Sequence, residues 1–227
     1  MSKKVKKADS NLENVEEVLS RTELFIEENQ KVFTSIIISL IVLIGGYWAV
    51  KKLFIEPREQ EAQAQIFHAQ AEFGNENFQV ALEGDGNTLG FLDLIESYGR
   101  TKAGKLANYY AGISYLHLEE YENAIKYLNK FNSKNSELKA VSLGAMGDAY
   151  FELENLKEAV RYYKRAIDAN SNEITAPYYL LKIGVVYESL GDNKNAVDSY
   201  TKIKEQYKNS AEARQIDKYI TRANLKL

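Results

Sequence analysis

The stretch A-M-G-D-A-Y-F-E-L-E-N-L-K-E-A-V-R-Y-Y, Ala145 to Tyr163, contains a glycine, a tyrosine three residues later and an alanine nine residues beyond that. These are Gly147, Tyr150 and Ala159, a G-x2-Y-x8-A pattern. The same offsets occur upstream as Gly112, Tyr115 and Ala124, and downstream as Gly184, Tyr187 and Ala196. A bulky residue follows each alanine by four: Leu128, Tyr163 and Tyr200. Between tyrosine and alanine lies a turn each time: Leu118-Glu119-Glu120-Tyr121, Leu153-Glu154-Asn155-Leu156 and Leu190-Gly191-Asp192-Asn193. The glycines recur after 35 and then 37 residues, and a period in that range signals stacked helical hairpins. Glycine and alanine fall where the two helices of a hairpin cross, because small residues let the axes approach to about 8–10 Å. The tyrosine and the later bulky residue are expected to fill the gap between one hairpin and the next.

This pattern resembles the tetratricopeptide repeat, over most of Leu106–Tyr207. It predicts an all-α solenoid with repeats at about 105–138, 140–173 and 177–210. The flanks echo the same signals: Ile95, Tyr98 and Thr101 before the first repeat, Ile203, Tyr207 and Ser210 after the third. Thr101 and Ser210 are candidate N-caps. Phe91–Tyr98 reads as a half-repeat, and residues 211–225 as the capping helix that seals the stack, giving a repeat domain over 91–227.

In such a stack the first helix of each hairpin lines the concave side. The inward set is expected to include Leu106, Tyr109, Ile113, Leu116, Val141, Phe151, Tyr178, Leu181 and Val185, with Gly144 and Asp148 on the same side. The groove is therefore expected to be mostly apolar and aromatic, suited to an amphipathic helix or an extended apolar peptide. Repeat domains of this kind that clamp a C-terminal carboxylate use Lys and Asn here. The matching positions hold Tyr109 and Ile113, Gly144 and Asp148, Leu181 and Val185, so that clamp is absent.

Upstream, Val32–Val50 carries no charge. At about 1.5 Å per residue such a helix matches a bilayer core of about 30 Å. Lys31 bounds one end and Lys51 and Lys52 the other, with Tyr47 and Trp48 placed for the headgroup layer. No small-x-small site follows it, so it reads as a retained anchor rather than a cleaved leader. The span is assigned to 32–55, after a tail over 1–31. In that tail Leu12, Val15, Leu19 and Ile26 follow helical spacing opposite an acidic face, which suits a partner protein better than an anionic membrane surface. Lys and Arg counts lean towards a cytoplasmic N-terminus. Residues 56–90 read as a polar spacer helix, with a kink or restart at Pro57, and a loop over Glu83–Gly90.

The chain has 227 residues, a net charge of −3 and no cysteine. No large positive field is present to attract nucleic acid. Disulfides, thiolate metal sites and cysteine nucleophiles are excluded. His68 and His117 have no metal-ligand spacing, and no serine elbow, phosphate loop or HExxH occurs. Neither catalysis, a metal nor a cofactor is expected.

The order of tail, span, spacer and repeats resembles the YfgM-like ancillary subunits of the bacterial Sec translocon. L-A-N-Y-Y-A-G-I-S-Y (Leu106–Tyr115) and Y-Y-L-L-K-I-G (Tyr178–Gly184) look like Bacteroidetes-type members. The resemblance implies a single-pass inner-membrane protein, N-terminus cytoplasmic and repeats periplasmic. It also implies three kinds of partner: the SecYEG channel, a membrane-anchored chaperone of the peptidyl-prolyl isomerase type, and nascent secretory chains. The expected role is assistance to translocation and periplasmic chaperoning. The alternative is a structural scaffold of an envelope complex with one fixed partner.

Overall fold

A computed structural model describes residue 25 and residues 28–227. Among the described residues the chain is helical throughout, with no strand. The acidic helix expected over Leu12, Val15, Leu19 and Ile26 lies outside them. The chain divides into two compact units, Met1–Pro57 and Arg58–Leu227.

In the first unit, helix α1 (Gln30–Val50) is long and apolar enough to cross a membrane, and none of its residues is buried. Its serine and threonine side chains, Thr34, Ser35 and Ser39, donate to the carbonyls of Gln30, Val32 and Ser35 at 2.8 Å. These three hydroxyls are thus satisfied within the helix itself. The Lys51 ammonium lies 5.4 Å from the Trp48 ring centre.

The kink or restart expected at Pro57 is replaced by a π-helical turn, Lys51–Ile55, in which the Glu56 N–H donates to the Lys51 carbonyl five residues back. Helix α2 (Glu56–Gly74) follows, with Pro57 in its first turn. Proline has no N–H for the carbonyl four residues earlier, and its ring crowds that carbonyl. A wider turn just ahead relieves both, and the helix continues.

The second unit holds α2, α3 (Phe78–Glu83), α4 (Phe91–Tyr98), α5 (Lys102–His117), α6 (Tyr121–Leu128), α7 (Ser136–Glu152), α8 (Leu156–Ala169), α9 (Thr175–Ser189), α10 (Asn193–Gln206) and α11 (Ile216–Asn224). Helices α5/α6, α7/α8 and α9/α10 pack as successive hairpins, and each pair packs on the next.

The turn inside each hairpin is the same object. Glu119, Glu154 and Gly191 adopt φ of 62°, 57° and 73°. Just after them, the N–H groups of Glu120, Asn155 and Asp192 donate to the carbonyls of Tyr115, Tyr150 and Tyr187 at 2.9, 2.8 and 2.9 Å. This left-handed helix ending caps carbonyls that would otherwise have no partner.

The turn occurs a fourth time. Glu76 has φ 63°, and the Asn77 N–H donates to the Glu72 carbonyl at 2.9 Å. Counting from Glu76 as from Glu119 puts Ala69 at the repeat glycine, Glu72 at the tyrosine and Ala81 at the alanine. Helix α2 is therefore the first helix of a further hairpin, and not the polar spacer expected from its composition. It buries Ala62, Ile66 and Ala69 in one core with Ala81, Leu82, Phe91 and Leu94. The second helix of this hairpin is broken: α3 stops at Glu83, a loop follows, and α4 resumes at Phe91. Phe91–Tyr98 completes a hairpin rather than standing alone as a half-repeat.

The repeat glycines are sites of close approach. The space a Cβ would need on Gly112, Gly147 and Gly184 is filled by the side chains of Leu128, Tyr163 and Tyr200. The bulky residue thus fills its own hairpin and also meets the element that follows: Leu128 shares a core with Leu143 and Met146, and the Tyr200 ring centre lies 5.4 Å from that of Tyr219 in α11. The tyrosines behave likewise: Tyr115 stacks on Tyr127 and Tyr150 on Tyr162, with ring centres 5.3 and 5.1 Å apart. Two further contacts reach across. Tyr163 stacks on Tyr179 of the following hairpin at 5.8 Å, and Tyr187 accepts from Lys164 of the preceding one at 3.1 Å.

Thr101 caps α5 by accepting from the Gly104 N–H at 3.0 Å. Ser210 accepts from the Ala213 N–H at 3.2 Å, at the start of a 3-10 turn (Glu212–Gln215). The terminal segment is thus two pieces, this turn and α11. Helix α11 is clasped by Glu188 of α9, whose side chain is 8% exposed. Arg222 donates to it through two nitrogens at 2.6 and 3.0 Å, Lys226 at 3.1 Å and the Tyr200 hydroxyl at 2.8 Å. Burial alone would raise the Glu188 pKa, but these donors outweigh it and hold the carboxyl at about 2.

Candidate functional site

The concave side carries a groove of about 690 Å³. Its walls come from the C-terminal ends of α5 and α7 and from the first turn and middle of α9, where helical periodicity returns a side chain inward about every fourth residue. Leu116, Phe151, Tyr178, Leu181 and Val185 line it, and Tyr219 of α11 stands at one end. Tyr178 is 43% exposed.

Five of the nine groove residues expected from sequence meet there. The other four lie elsewhere. Leu106 packs on the core around α2, and Tyr109 and Ile113 pack on the central core. Tyr109 is half-buried against Tyr110 and Phe131, with ring centres 5.4 and 5.3 Å away. Val141 is exposed but does not line the groove. Gly144 is buried beneath Tyr179 of the next hairpin and is not open to the groove. The physical reason is packing: Leu106, Tyr109 and Ile113 fill contacts with neighbouring helices and are not left free for a ligand.

The floor is polar where an apolar one was expected. Asp148 accepts from the Tyr163 hydroxyl and from the Lys182 ammonium, both at 2.6 Å. Burial alone would lower the Lys182 pKa, but the Asp148 charge outweighs it and keeps the ammonium firmly protonated. Burial pushes the Tyr163 hydroxyl up, and the Asp148 charge pushes it further. Lys182 also sits 4.9 Å from the Tyr178 ring centre. The cluster is a fixed, internally paired structure that holds α7, α8 and α9 in register. Lys182 lies four residues after Tyr178 and three before Val185, so the same helical stripe that predicts those two also includes it. Tyr121, Glu119 and Glu152 complete the rim. They sit at hairpin turns and helix ends, where sequence reading sees only solvated polar residues.

No nucleophile with an adjacent base lies in the groove, and among the described residues no group of three or more His, Asp or Glu is placed to hold a metal. The arrangement presents an apolar, aromatic trough with paired charges beneath it, which is a binding surface.

Residues 145–211 match one family model described as tetratricopeptide repeat, and residues 106–137 match a second. Over those residues the hairpins match the tetratricopeptide repeat. Among solved structures, the repeats are similar to a crystal structure of MamA protein at 18% identity and a TM-score of 0.54, over 73% of this chain and 91% of that one. A second crystal structure of MamA matches at 23% identity and a TM-score of 0.42, over 60% of this chain and 88% of that one. The first of these shows a shared fold. No curated protein matches the chain. Tetratricopeptide repeats are protein-interaction modules.

Proposed function

We propose that this chain is a membrane-anchored interaction module whose groove holds an apolar segment of a protein partner. The observation that carries the reading is the trough formed by Phe151, Leu181 and Val185 with Tyr178 exposed at its edge. Apolar concave patches on repeat solenoids are sites of partner binding. Helix α1 supplies the anchor. A tether raises the local concentration of the groove to the order of mM, so weak contacts suffice. Placement beside the SecYEG channel, with the repeats periplasmic and a peptidyl-prolyl isomerase-type chaperone or an emerging chain as partner, rests on the sequence resemblance alone.

The test is a photo-crosslinking residue at Phe151 of the full chain in its native membrane. Adducts with SecYEG subunits, the chaperone or varied nascent chains support the proposal. One fixed envelope protein as the sole adduct replaces it with the scaffold reading. Absence of any protein adduct refutes the groove. Protease protection on sealed vesicles fixes the side: degradation of the repeats from the cytoplasmic face overturns the periplasmic placement.

A further inference from the structure

Two carboxylates at the rim of the groove are unclaimed by the fold. Glu119 and Glu152 are exposed, line the groove, and make no ion pair among the described residues. The other charges there are already used. Lys182 is paired with Asp148 at 2.6 Å. The His117 ring is stacked flat on Phe78, with centres 4.3 Å apart and planes 3° off parallel. Glu119 and Glu152 flank a common point, the Tyr121 side chain. Burial raises the Tyr121 hydroxyl above its ordinary value, and the charges of Glu152 and then Glu119 raise it further. Around them stand the rings of Tyr121 and Phe151, whose negative faces attract cations, while Tyr178 already holds Lys182 and Tyr219 holds Lys218 and Arg222.

The rim therefore presents negative charge and π-faces beside an apolar trough. An acidic segment or a terminal carboxylate is repelled there, and a purely apolar one leaves both carboxylates unused. We infer that the groove selects an apolar segment carrying a lysine or arginine, the apolar side chains lying on Phe151, Leu181 and Val185 and the cation reaching the rim between Glu119 and Glu152. This rests on the proposed groove function and specifies the chemistry of its partner.

The test uses the full chain in nanodiscs of neutral phosphatidylcholine, with empty discs as the blank. Three fluorescent peptides share one Leu/Ala framework and carry Lys, Gln or Glu at the same positions; binding is read by anisotropy. Exposed ion pairs contribute about 0.2–1 kcal/mol each, so two favour the Lys peptide over the Gln peptide by about fivefold. The Glu peptide binds weaker still. In the double variant Glu119→Gln, Glu152→Gln the Lys peptide falls to the affinity of the Gln peptide, and raised salt does the same in the parent. Phe151→Ala weakens all three. Equal binding of the Lys and Gln peptides, or a preference that survives the double variant, overturns the charge selection and leaves the groove intact. Failure of every peptide to bind overturns the groove itself.

Discussion

The four helix-ending turns offer a test in which equivalent positions should respond with opposite sign. Glu154 and Gly191 occupy the same place in successive hairpins, at φ 57° and 73°. An L-residue in the left-handed region costs about 1–2 kcal/mol relative to right-handed helix. Glu154→Gly removes that strain but gives the unfolded chain more freedom, which returns about 0.5–1 kcal/mol. The net expectation is a stabilisation of about 0.5–1 kcal/mol. Gly191→Ala runs the other way. Nothing lies within 4 Å of the position its Cβ would take, so the cost is conformational, about 1–2 kcal/mol, less about 0.5–1 kcal/mol from the stiffer unfolded chain. The assay is urea unfolding of the detergent-solubilised chain, followed by far-ultraviolet circular dichroism. With a slope of about 1–3 kcal/mol per M, Gly191→Ala should lower the midpoint by roughly 0.25–0.5 M, and Glu154→Gly should raise it by a similar amount. Shifts of the same sign, or a neutral Gly191→Ala, refute the claim that backbone conformation sets these turns.

Three further outcomes follow from the packing. Glu188 titrates at about 2 rather than the usual 4.5, so its clasp stabilises the fold fully above about pH 4.5 and is lost as pH falls towards 2; the shift corresponds to at most about 3 kcal/mol. Because Arg222 and Lys226 are half exposed, solvent screening reduces this, and Glu188→Gln should cost about 1–2 kcal/mol at pH 7 and nothing below pH 2, read from acid-unfolding curves of both proteins. Ile66→Asp should destabilise the repeats by about 3 kcal/mol and open residues 58–98 to limited proteolysis, because Ile66 is 5% exposed in a core; a free spacer helix would tolerate it. Gly184→Val should cost about 3 kcal/mol in urea unfolding, since the Tyr200 ring fills the space a Cβ needs and is itself fully buried.

The three repeats were legible in the sequence because close packing leaves so few choices. A glycine beneath Tyr163 or Tyr200 cannot be anything larger, so it recurs at a fixed offset and can be counted. The hairpin begun by α2 was hidden by the same logic. Its crossing residue is Ala69, its tyrosine position is Glu72, and its second helix stops at Glu83. The position that carries Leu128, Tyr163 or Tyr200 elsewhere is Asp85, exposed and engaged with Asn87 and Thr88 at 2.8–2.9 Å. With no bulky side chain to accommodate, no glycine is needed, and the interval from Ala69 to Gly112 stretches to 43 residues. Half of the groove was legible for a related reason. Helical spacing identifies the side of a helix that faces inward, but not where along its length two hairpins separate. That depends on the size of residues such as Tyr109 and Tyr179, which close the gap at one end. The Asp148–Lys182 pair is a tertiary contact across 34 residues, and no local pattern announces it.

The interruption between Glu83 and Phe91 has a practical consequence. The loop leaves and rejoins one helix layer, so its ends are fixed while its tip, at Asp85–Asn87, is exposed. Chain inserted at such a point is tolerated because it need not cross any packed surface. A fluorophore attachment sequence placed after Gly86 should therefore report on this protein in living cells while leaving the trough, the clasp and the apolar helix α1 undisturbed.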